Sequence, residues 1–155
     1  MNDVAGIFAR ESPLLDRYVQ LGIAQGRVLS VEFPTAPDPE AQPDHELLDR
    51  IEAYLDGDAD EFADVTVAMT MPTDQRTVLE KVREVPYGEA ATVEQITTMV
   101  PGYSPDESED RATVREALGA NPAPPFIPTH RVTDGPDGLP GDVGRRLRLL
   151  EGIGR

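Results

Sequence analysis

Residues 121–132, NPAPPFIPTHRV, restrict the fold more than any other stretch, since four of these twelve positions are proline. Proline lacks a backbone N–H and has a fixed φ, so it interrupts helices and the interiors of sheets. The residue before a proline is also driven toward extended conformations. We therefore expect residues 121–132 to run extended, followed by a loop in the glycine- and proline-rich segment 133–144.

The N-terminal half predicts a small unit that mixes strand and helix. Alternating apolar residues in 18–33 predict a β-hairpin with Gln25 and Gly26 at its turn. The proline-rich segment 34–43 cannot continue a strand or a helix and predicts a loop. Residues 62–71 are predicted to form a strand and a connection that close the unit. Between these segments, helical spacing predicts a helix that carries Leu47, Leu48, Ile51, Tyr54 and Leu55.

The second half has the pattern of short helices. Thr92 and Gln95 have the spacing of a capping box, which predicts the start of one such helix. A loop over 101–110 separates it from a second helix over 111–120, and residues 143–150 predict a terminal helix. Two short helices joined in this way are a helix-turn-helix candidate. An amphipathic helix that precedes them is marked by Val78, Leu79, Val82 and Val85.

Together these elements predict an α+β fold in two parts. Residues 1–71 would form a small α/β unit with a short antiparallel sheet. Residues 72–155 would form a mainly helical domain of the helix-turn-helix or winged-helix type, because the periodicity changes from alternating to helical near residue 73.

The charge of the chain is strongly acidic, with 29 Asp and Glu against 14 Lys and Arg and a net charge of −15. Lys81 is its only lysine. Such a composition favours a halophilic protein that works in molar salt, where a charged surface maintains solubility. An acidic protein of an ordinary cytosol is the alternative. In either case the bulk charge disfavours nonspecific binding to nucleic acid at low salt, so DNA binding has to rest on local features.

Several classes of site are excluded by residue types that the sequence lacks. It contains no cysteine, which rules out disulfides, thiolate metal sites and a cysteine nucleophile. Its two histidines, His45 and His130, are far apart in sequence, so we expect neither a metal site nor a cofactor. No apolar run approaches the roughly 18 residues of a membrane span. The first residues lack a signal pattern, which makes the cytoplasm the expected location.

Five motifs occur here in the order in which they occur in one known family. They are DQRTVLEKV, VPYGEAATVEQI, REALGANP, IPTHRV, and a glycine-rich loop before RLLEG. In this respect the chain resembles the O6-alkylguanine-DNA alkyltransferases, or methylated-DNA–protein-cysteine methyltransferases. The preceding LLDRIEAYLDGDADEF resembles the end of that family's N-terminal domain, so the likeness covers residues 47–155.

The resemblance implies a site that has lost its reactive group. In the family the segment is Ile-Pro-Cys-His-Arg-Val, and its cysteine accepts the alkyl group of a flipped-out guanine. Thr129 stands at that position here, and a hydroxyl has essentially no anion near neutral pH, unlike a thiol. By the same resemblance, His130 matches the histidine that deprotonates the cysteine, Asn121 matches the asparagine that holds the turn, and Glu151 matches the glutamate that orients the histidine.

The resemblance also implies a DNA-binding helix. The family lays a helix of small residues in the minor groove and inserts an arginine into the base stack. Counting back from Asn121, the position of that arginine falls on Ala112, with Arg111 directly before it. Arg115 lies four residues after Arg111 and shares its helix face. The predicted DNA-binding residues are Arg111, Ala112, Thr113, Arg115, Gly119 and Arg131.

Three functions remain open from the sequence. The first is a non-catalytic, alkyltransferase-like protein that binds double-stranded DNA containing O6-alkylguanine and flags it for excision-repair proteins. The second is a protein-interaction module without lesion binding, whose acidic surface faces a partner. The third is a hydrolase that uses Thr129 and His130. Neighbouring side chains point to opposite sides of an extended segment, which makes this third geometry poor.

Overall fold

A computed structural model describes residues 5–153 of the chain as an α+β fold with one three-stranded antiparallel sheet. The strands, in sheet order, are β1 (Gly6–Ser12), β2 (Arg17–Ala24) and β3 (Arg27–Glu32). The helices are α1 (Glu46–Leu55), α2 (Thr73–Val82), α3 (Val93–Met99), α4 (Ser108–Gly119) and α5 (Val143–Glu151). A single 3₁₀ turn spans Thr129–Arg131. None of the helices in residues 5–153 is long and apolar enough to cross a membrane.

The predicted hairpin is confirmed as β2 and β3. Gln25 and Gly26 both have positive φ, 55° and 74°, as a two-residue turn of type I′ requires. Strand β1 was not indicated by the sequence pattern, because its buried residues do not alternate along the strand. Ala9 is also buried, on the face opposite Phe8. The loop after β3 pairs along the free edge of β1, where the Ala9 N–H donates to the Gln42 carbonyl at 2.9 Å.

The strand predicted in residues 62–71 is wrong. This segment makes one isolated bridge, between Val67 and Val28. Its first residues form a turn instead, in which the Val65 N–H donates to the Phe62 carbonyl at 3.0 Å. The Arg83 guanidinium then donates to the carbonyls of Phe62 and Val65 at 2.7 and 3.0 Å. These carbonyls serve an arginine, and they are therefore not available to a strand ladder.

The helical half follows the pattern closely, with one shift. The capping box at α3 is present: the Gln95 N–H donates to the Thr92 hydroxyl at 3.1 Å, and the Thr92 N–H donates to the Gln95 side chain at 2.9 Å. Helix α4 begins at Ser108 and takes in part of the predicted loop 101–110. Its first turn contains Glu109 and Asp110, whose negative charge is favourable at a helix N-terminus.

The expectation that residues 121–132 run extended is also wrong. The Ile127 N–H donates to the Ala123 carbonyl at 3.0 Å, and the Arg131 N–H donates to the Pro128 carbonyl at 3.0 Å, which closes the 3₁₀ turn. Proline lacks only the donor, so its carbonyl can still close a turn. The tight turn places Thr129 and His130 on the same short arc of chain.

One hydrophobic core runs through both halves of the chain. The Phe62 ring packs edge-on against Phe126 with 5.0 Å between centroids, and the Val31 N–H donates to the Pro122 carbonyl at 2.8 Å. A boundary at residue 71 stays a prediction. The sheet and α1 both contact the segment that contains Thr129, through Val31 and Tyr54 respectively.

Candidate functional site

Thr129 lies at the centre of the candidate site with its side chain fully engaged. It is 0% exposed, and its hydroxyl donates to the Asp137 carbonyl at 2.7 Å. The Asn121 amide donates to the same hydroxyl at 2.8 Å and to the Ile127 carbonyl at 2.7 Å, and its oxygen accepts from the Ala123 N–H at 2.9 Å. The hydroxyl proton therefore points at a carbonyl, which cannot act as a base.

His130 is fully buried and holds one proton. Its Nε2 lies 2.8 Å from a carboxylate oxygen of Glu151, and because a carboxylate only accepts, Nε2 carries the hydrogen. Its Nδ1 is therefore an acceptor, and it has no partner within the described part of the chain. Burial lowers the pKa of His130 below its ordinary value, against the opposing effect of Glu151. The imidazole is neutral, with a free lone pair.

Glu151 is the hub of the buried network. In addition to His130, its carboxylate accepts from the Tyr54 hydroxyl at 2.5 Å, the Gly88 N–H at 3.0 Å, and the Arg131 guanidinium at 2.8 and 3.0 Å. Burial by itself would raise the pKa of Glu151, but hydrogen bonds from His130 and Arg131 outweigh it and hold that pKa well below its usual range. The network therefore contains one charged pair, Arg131 with Glu151, and three neutral donors.

Tyr54 is the functional-site residue that the sequence pattern did not identify. It lies on the apolar face of α1 and is fully buried, and burial raises the pKa of its hydroxyl with Glu151 adding to the effect. A tyrosine among aliphatic positions of a helix has to find a partner for its hydroxyl when it is buried. That requirement was a signal, but it does not say which residue is the partner.

Arg131 requires a correction, because its position does not suit the predicted DNA contact. It is 2% exposed and donates to the Val85 carbonyl at 2.7 Å as well as to Glu151. Its guanidinium also lies over the Tyr87 ring, 5.6 Å from the centroid. A side chain held on all sides in this way does not reach a phosphate, and we remove it from the DNA-binding set.

The remaining predicted DNA-binding residues lie along α4. Ala112 and Gly119 are exposed, and the Thr113 hydroxyl donates back to the Glu109 carbonyl at 3.1 Å. Arg115 is exposed and donates to the Asp134 carbonyl at 3.1 Å. The helix thus presents small side chains and one arginine, together with the exposed carboxylates of Glu109 and Glu116.

Arg111 differs from its neighbours on α4. It is only partly exposed, and its guanidinium folds back to donate to the Pro105 carbonyl at 2.5 Å. In this position it holds the loop before α4, and it would have to leave that carbonyl to enter a base stack. The structure therefore brings Asn121 into contact with Thr129, and Glu151 into contact with His130. On α4, Arg111 holds the preceding loop, whereas Arg115 is exposed.

Because of its two buried histidines, we expect the free energy of unfolding of this protein to decrease as the pH falls. Burial lowers the pKa of His130 and that of His45, whose Nδ1 caps α1 by accepting the Leu47 N–H at 3.0 Å. A group with a lowered folded pKa binds more protons when unfolded, so its stabilisation is present above pH of about 6.5 and is lost below it. We expect the free energy of unfolding to fall by up to about 1.4 kcal/mol per pH unit for each histidine.

Urea unfolding at fixed salt between about pH 7.5 and 5 measures this slope, because most carboxylates titrate only below that window. His45→Asn is the matched control, since asparagine also caps a helix but does not titrate. It should leave about half of the slope. A free energy of unfolding that is flat across this window would contradict the prediction.

The sequence and the fold of this chain are both similar to those of known proteins. Residues 73–151 match the family model of the 6-O-methylguanine DNA methyltransferase DNA-binding domain. A methylated-DNA–protein-cysteine methyltransferase of Methanopyrus kandleri is 34% identical over 113 residues, which is 70% of this chain and 80% of that protein. The Mycobacterium tuberculosis O6-methylguanine methyltransferase has a TM-score of 0.71 at 22% identity, covering 98% of this chain and 96% of that one. Mycobacterium tuberculosis OGT in complex with DNA has a TM-score of 0.69 at 23% identity, covering 94% and 90%.

Proposed function

The chain belongs to the 6-O-methylguanine DNA methyltransferase family, and we propose that it binds double-stranded DNA containing an O6-alkylated guanine without accepting the alkyl group. The observation that carries this proposal is the position of Thr129, whose hydroxyl takes the place of the acceptor thiol and donates to the Asp137 carbonyl. The residues that match the family's asparagine, histidine and glutamate lie nearby as well: Asn121 donates to the Thr129 hydroxyl, and His130 donates to Glu151. The frame of the site is kept while its nucleophile is absent.

Alkyl transfer to this chain is chemically unfavourable. The acceptor has to be a soft, partly ionised nucleophile, and the sequence contains no cysteine that could replace Thr129. The hydrolase alternative is also opposed by the geometry. The Thr129 proton goes to a carbonyl, and the protonated Nε2 of His130 faces Glu151, so no base lies next to the hydroxyl.

Helix α4 supports the DNA-binding part of the proposal. Its exposed small residues, Ala112 and Gly119, would allow the close approach that a minor groove requires, and Arg115 would meet a phosphate. A protein of similar fold, Mycobacterium tuberculosis OGT, is known in complex with DNA. We propose further that the bound complex is flagged to excision-repair proteins, since this chain has no means of completing the repair itself.

Molar salt is the proposed working condition. Glu107, Glu109 and Asp110 lie at the start of α4 and would repel a phosphate backbone in dilute buffer. At about 1 M salt the Debye length is only about 3 Å, so that repulsion is screened while direct contacts remain. The net charge of −15 supports the same proposal for the whole chain.

Lesion binding can be measured by fluorescence anisotropy with a short duplex that carries one O6-methylguanine, in molar potassium chloride. We expect tighter binding to this duplex than to its unmodified counterpart, with the methyl group left in place. Arg115→Ala should weaken lesion binding about tenfold through the loss of a charge-assisted contact. Arg145→Ala is the matched control, because Arg145 is an exposed arginine on α5 that pairs with Asp142 at 3.2 Å.

A folded protein that binds both duplexes equally would overturn the proposal. It would favour the second candidate, a protein-interaction module. The specific observation in favour of that candidate is the set of carboxylates before and within α4, which suits a basic protein surface better than DNA at low salt.

A further inference from the structure

A groove of about 200 Å³ lies between the β1–β2 turn and α1, on the N-terminal half of the protein. Its floor is formed by the buried side chains of Val19, Leu48 and Ile51. Leu14, which is 39% exposed, and Leu55, which is half-buried, line the groove nearer the solvent. An aliphatic surface is thus open to solvent at the surface of a highly charged protein.

Carboxylates surround this aliphatic surface. Glu11, Glu52 and Asp56 line the groove, and Arg10 is the one cation among its lining residues in the described part of the chain. The Arg10 guanidinium is already engaged, because it donates to Asp49 at 2.8 Å, to Glu52 at 3.0 Å and to the Pro43 carbonyl at 2.8 Å. The groove therefore has an unbalanced negative charge.

The end of α1 adds to that negative character. The helix ends at Leu55, with Asp56 as its C-cap, and its last turn contains no basic residue. The C-terminus of a helix carries a partial negative charge that a cation stabilises. Since this end of α1 lines the groove, a lysine or arginine of a bound molecule would find both a carboxylate and the helix terminus there.

The size of the groove decides between two kinds of occupant. Sites for small organic ligands usually have volumes of about 300–1,000 Å³. A volume of about 200 Å³ suits one or two aliphatic side chains of a peptide that lies across the surface. The charge then selects a peptide with basic residues on either side of its apolar anchor.

We propose that this groove is the docking site for a basic segment of a partner protein, which inserts an aliphatic side chain between Leu14 and Leu55. Its lysines or arginines would lie against Glu11, Glu52 and Asp56. None of the lining residues belongs to α3, α4 or the segment 129–140. The docking itself is therefore independent of lesion binding, and only the role of the complex as a link between damaged DNA and a second protein rests on the proposed function.

The test uses the full chain and a labelled amphipathic peptide of leucine and lysine, with binding followed by anisotropy in molar potassium chloride. Salt at this concentration suppresses binding by charge alone. We expect the peptide to bind, and Leu14→Ala to weaken its binding about tenfold, as removal of a buried anchor contact does. Leu149→Ala is the matched control, because Leu149 is an exposed leucine on α5 outside the groove.

A pair of charge variants tests whether the peptide binds to the acidic residues that line the groove or to the acidic surface of the chain in general. Glu11→Gln should weaken peptide binding, whereas Glu94→Gln, on the first turn of α3, should not. Equal losses for Leu14→Ala and Leu149→Ala, or no binding of the peptide, would overturn the proposal. A dimer in sedimentation that Leu14→Ala dissociates would overturn it in favour of a second copy of this chain. Failure of lesion binding with intact peptide binding would reject the proposed function alone.

Discussion

Thr129→Cys is expected to turn this protein into an acceptor that takes up about one methyl group per chain from an O6-methylguanine duplex. The unmodified chain should take up none, because its hydroxyl has essentially no anion at neutral pH. The substitution replaces one small buried side chain with another of similar size. It therefore supplies the missing nucleophile with little disturbance of the packing around it.

The surrounding groups are suited to a thiolate at this position. The Asn121 amide, which donates to the Thr129 hydroxyl at 2.8 Å, would donate to the sulfur. The Nδ1 of His130, which has no partner within residues 5–153, is an acceptor that would take the thiol proton through one bridging water molecule. Glu151 would then stabilise the imidazolium from the other side, where it already accepts from Nε2 at 2.8 Å.

Mass spectrometry of the protein after incubation with the modified duplex measures the transfer. Thr98→Cys is the matched control, since it introduces one exposed thiol on α3, outside the buried network and outside the predicted DNA-binding residues. Transfer to Thr129→Cys alone would show that the site lost its nucleophile and little else. If Thr129→Cys bound the lesion as tightly as the native chain and still accepted no methyl group, the remaining frame would be unable to activate a thiol.

The parts of this structure that the sequence predicted well are those decided by local chemistry. The turn at Gln25 and Gly26 follows from the alternating apolar residues on either side and from Gly26, which adopts positive φ without a steric penalty. The start of α3 follows from the reciprocal hydrogen bonds of Thr92 and Gln95. In both cases every interaction that fixes the conformation lies within a few residues. The α+β class follows from such elements together.

The parts that failed are decided by partners distant in sequence. The segment after α1 loses its strand because Arg83 takes the carbonyls of Phe62 and Val65. Arginine is a residue type that commonly contacts DNA, but Arg131 is enclosed by Glu151 and Tyr87. Long charged side chains can end at a phosphate or at a buried carboxylate, and the sequence does not distinguish these outcomes.

The residues of the candidate site were therefore predictable from the sequence, but the hydrogen bonds among them were not. The family pattern identified Asn121, Thr129, His130 and Glu151, yet it contained no indication that Tyr54 of α1 donates to Glu151, 97 residues away. That bond joins the N-terminal half of the chain to the buried network. It also gives the network a structural role in a chain that has no cysteine to accept an alkyl group.

Glu151→Ala is expected to lower the free energy of unfolding by about 3–5 kcal/mol, which is the usual cost of leaving one member of a buried ion pair unmatched. Arg131 would keep its positive charge while only 2% exposed, with the Val85 carbonyl, the Tyr87 ring and the exposed Glu61 carboxylate at 3.5 Å as its remaining partners. The Tyr54 hydroxyl would lose its acceptor as well. Because whole domains are stable by only about 5–15 kcal/mol, the variant would be close to unfolding.

Urea unfolding in molar potassium chloride measures the loss, and Glu94→Ala is the matched control because Glu94 is exposed on α3. A change below about 1 kcal/mol for Glu151→Ala, similar to that of a surface substitution, would contradict the prediction. The expected result has a consequence for the site as a whole. If Glu151 with its partners stabilises the fold, its presence does not depend on alkyl transfer, and the frame around Thr129 is retained for structural reasons. The frame would then remain available for recognition of an alkylated base after the reaction itself was lost.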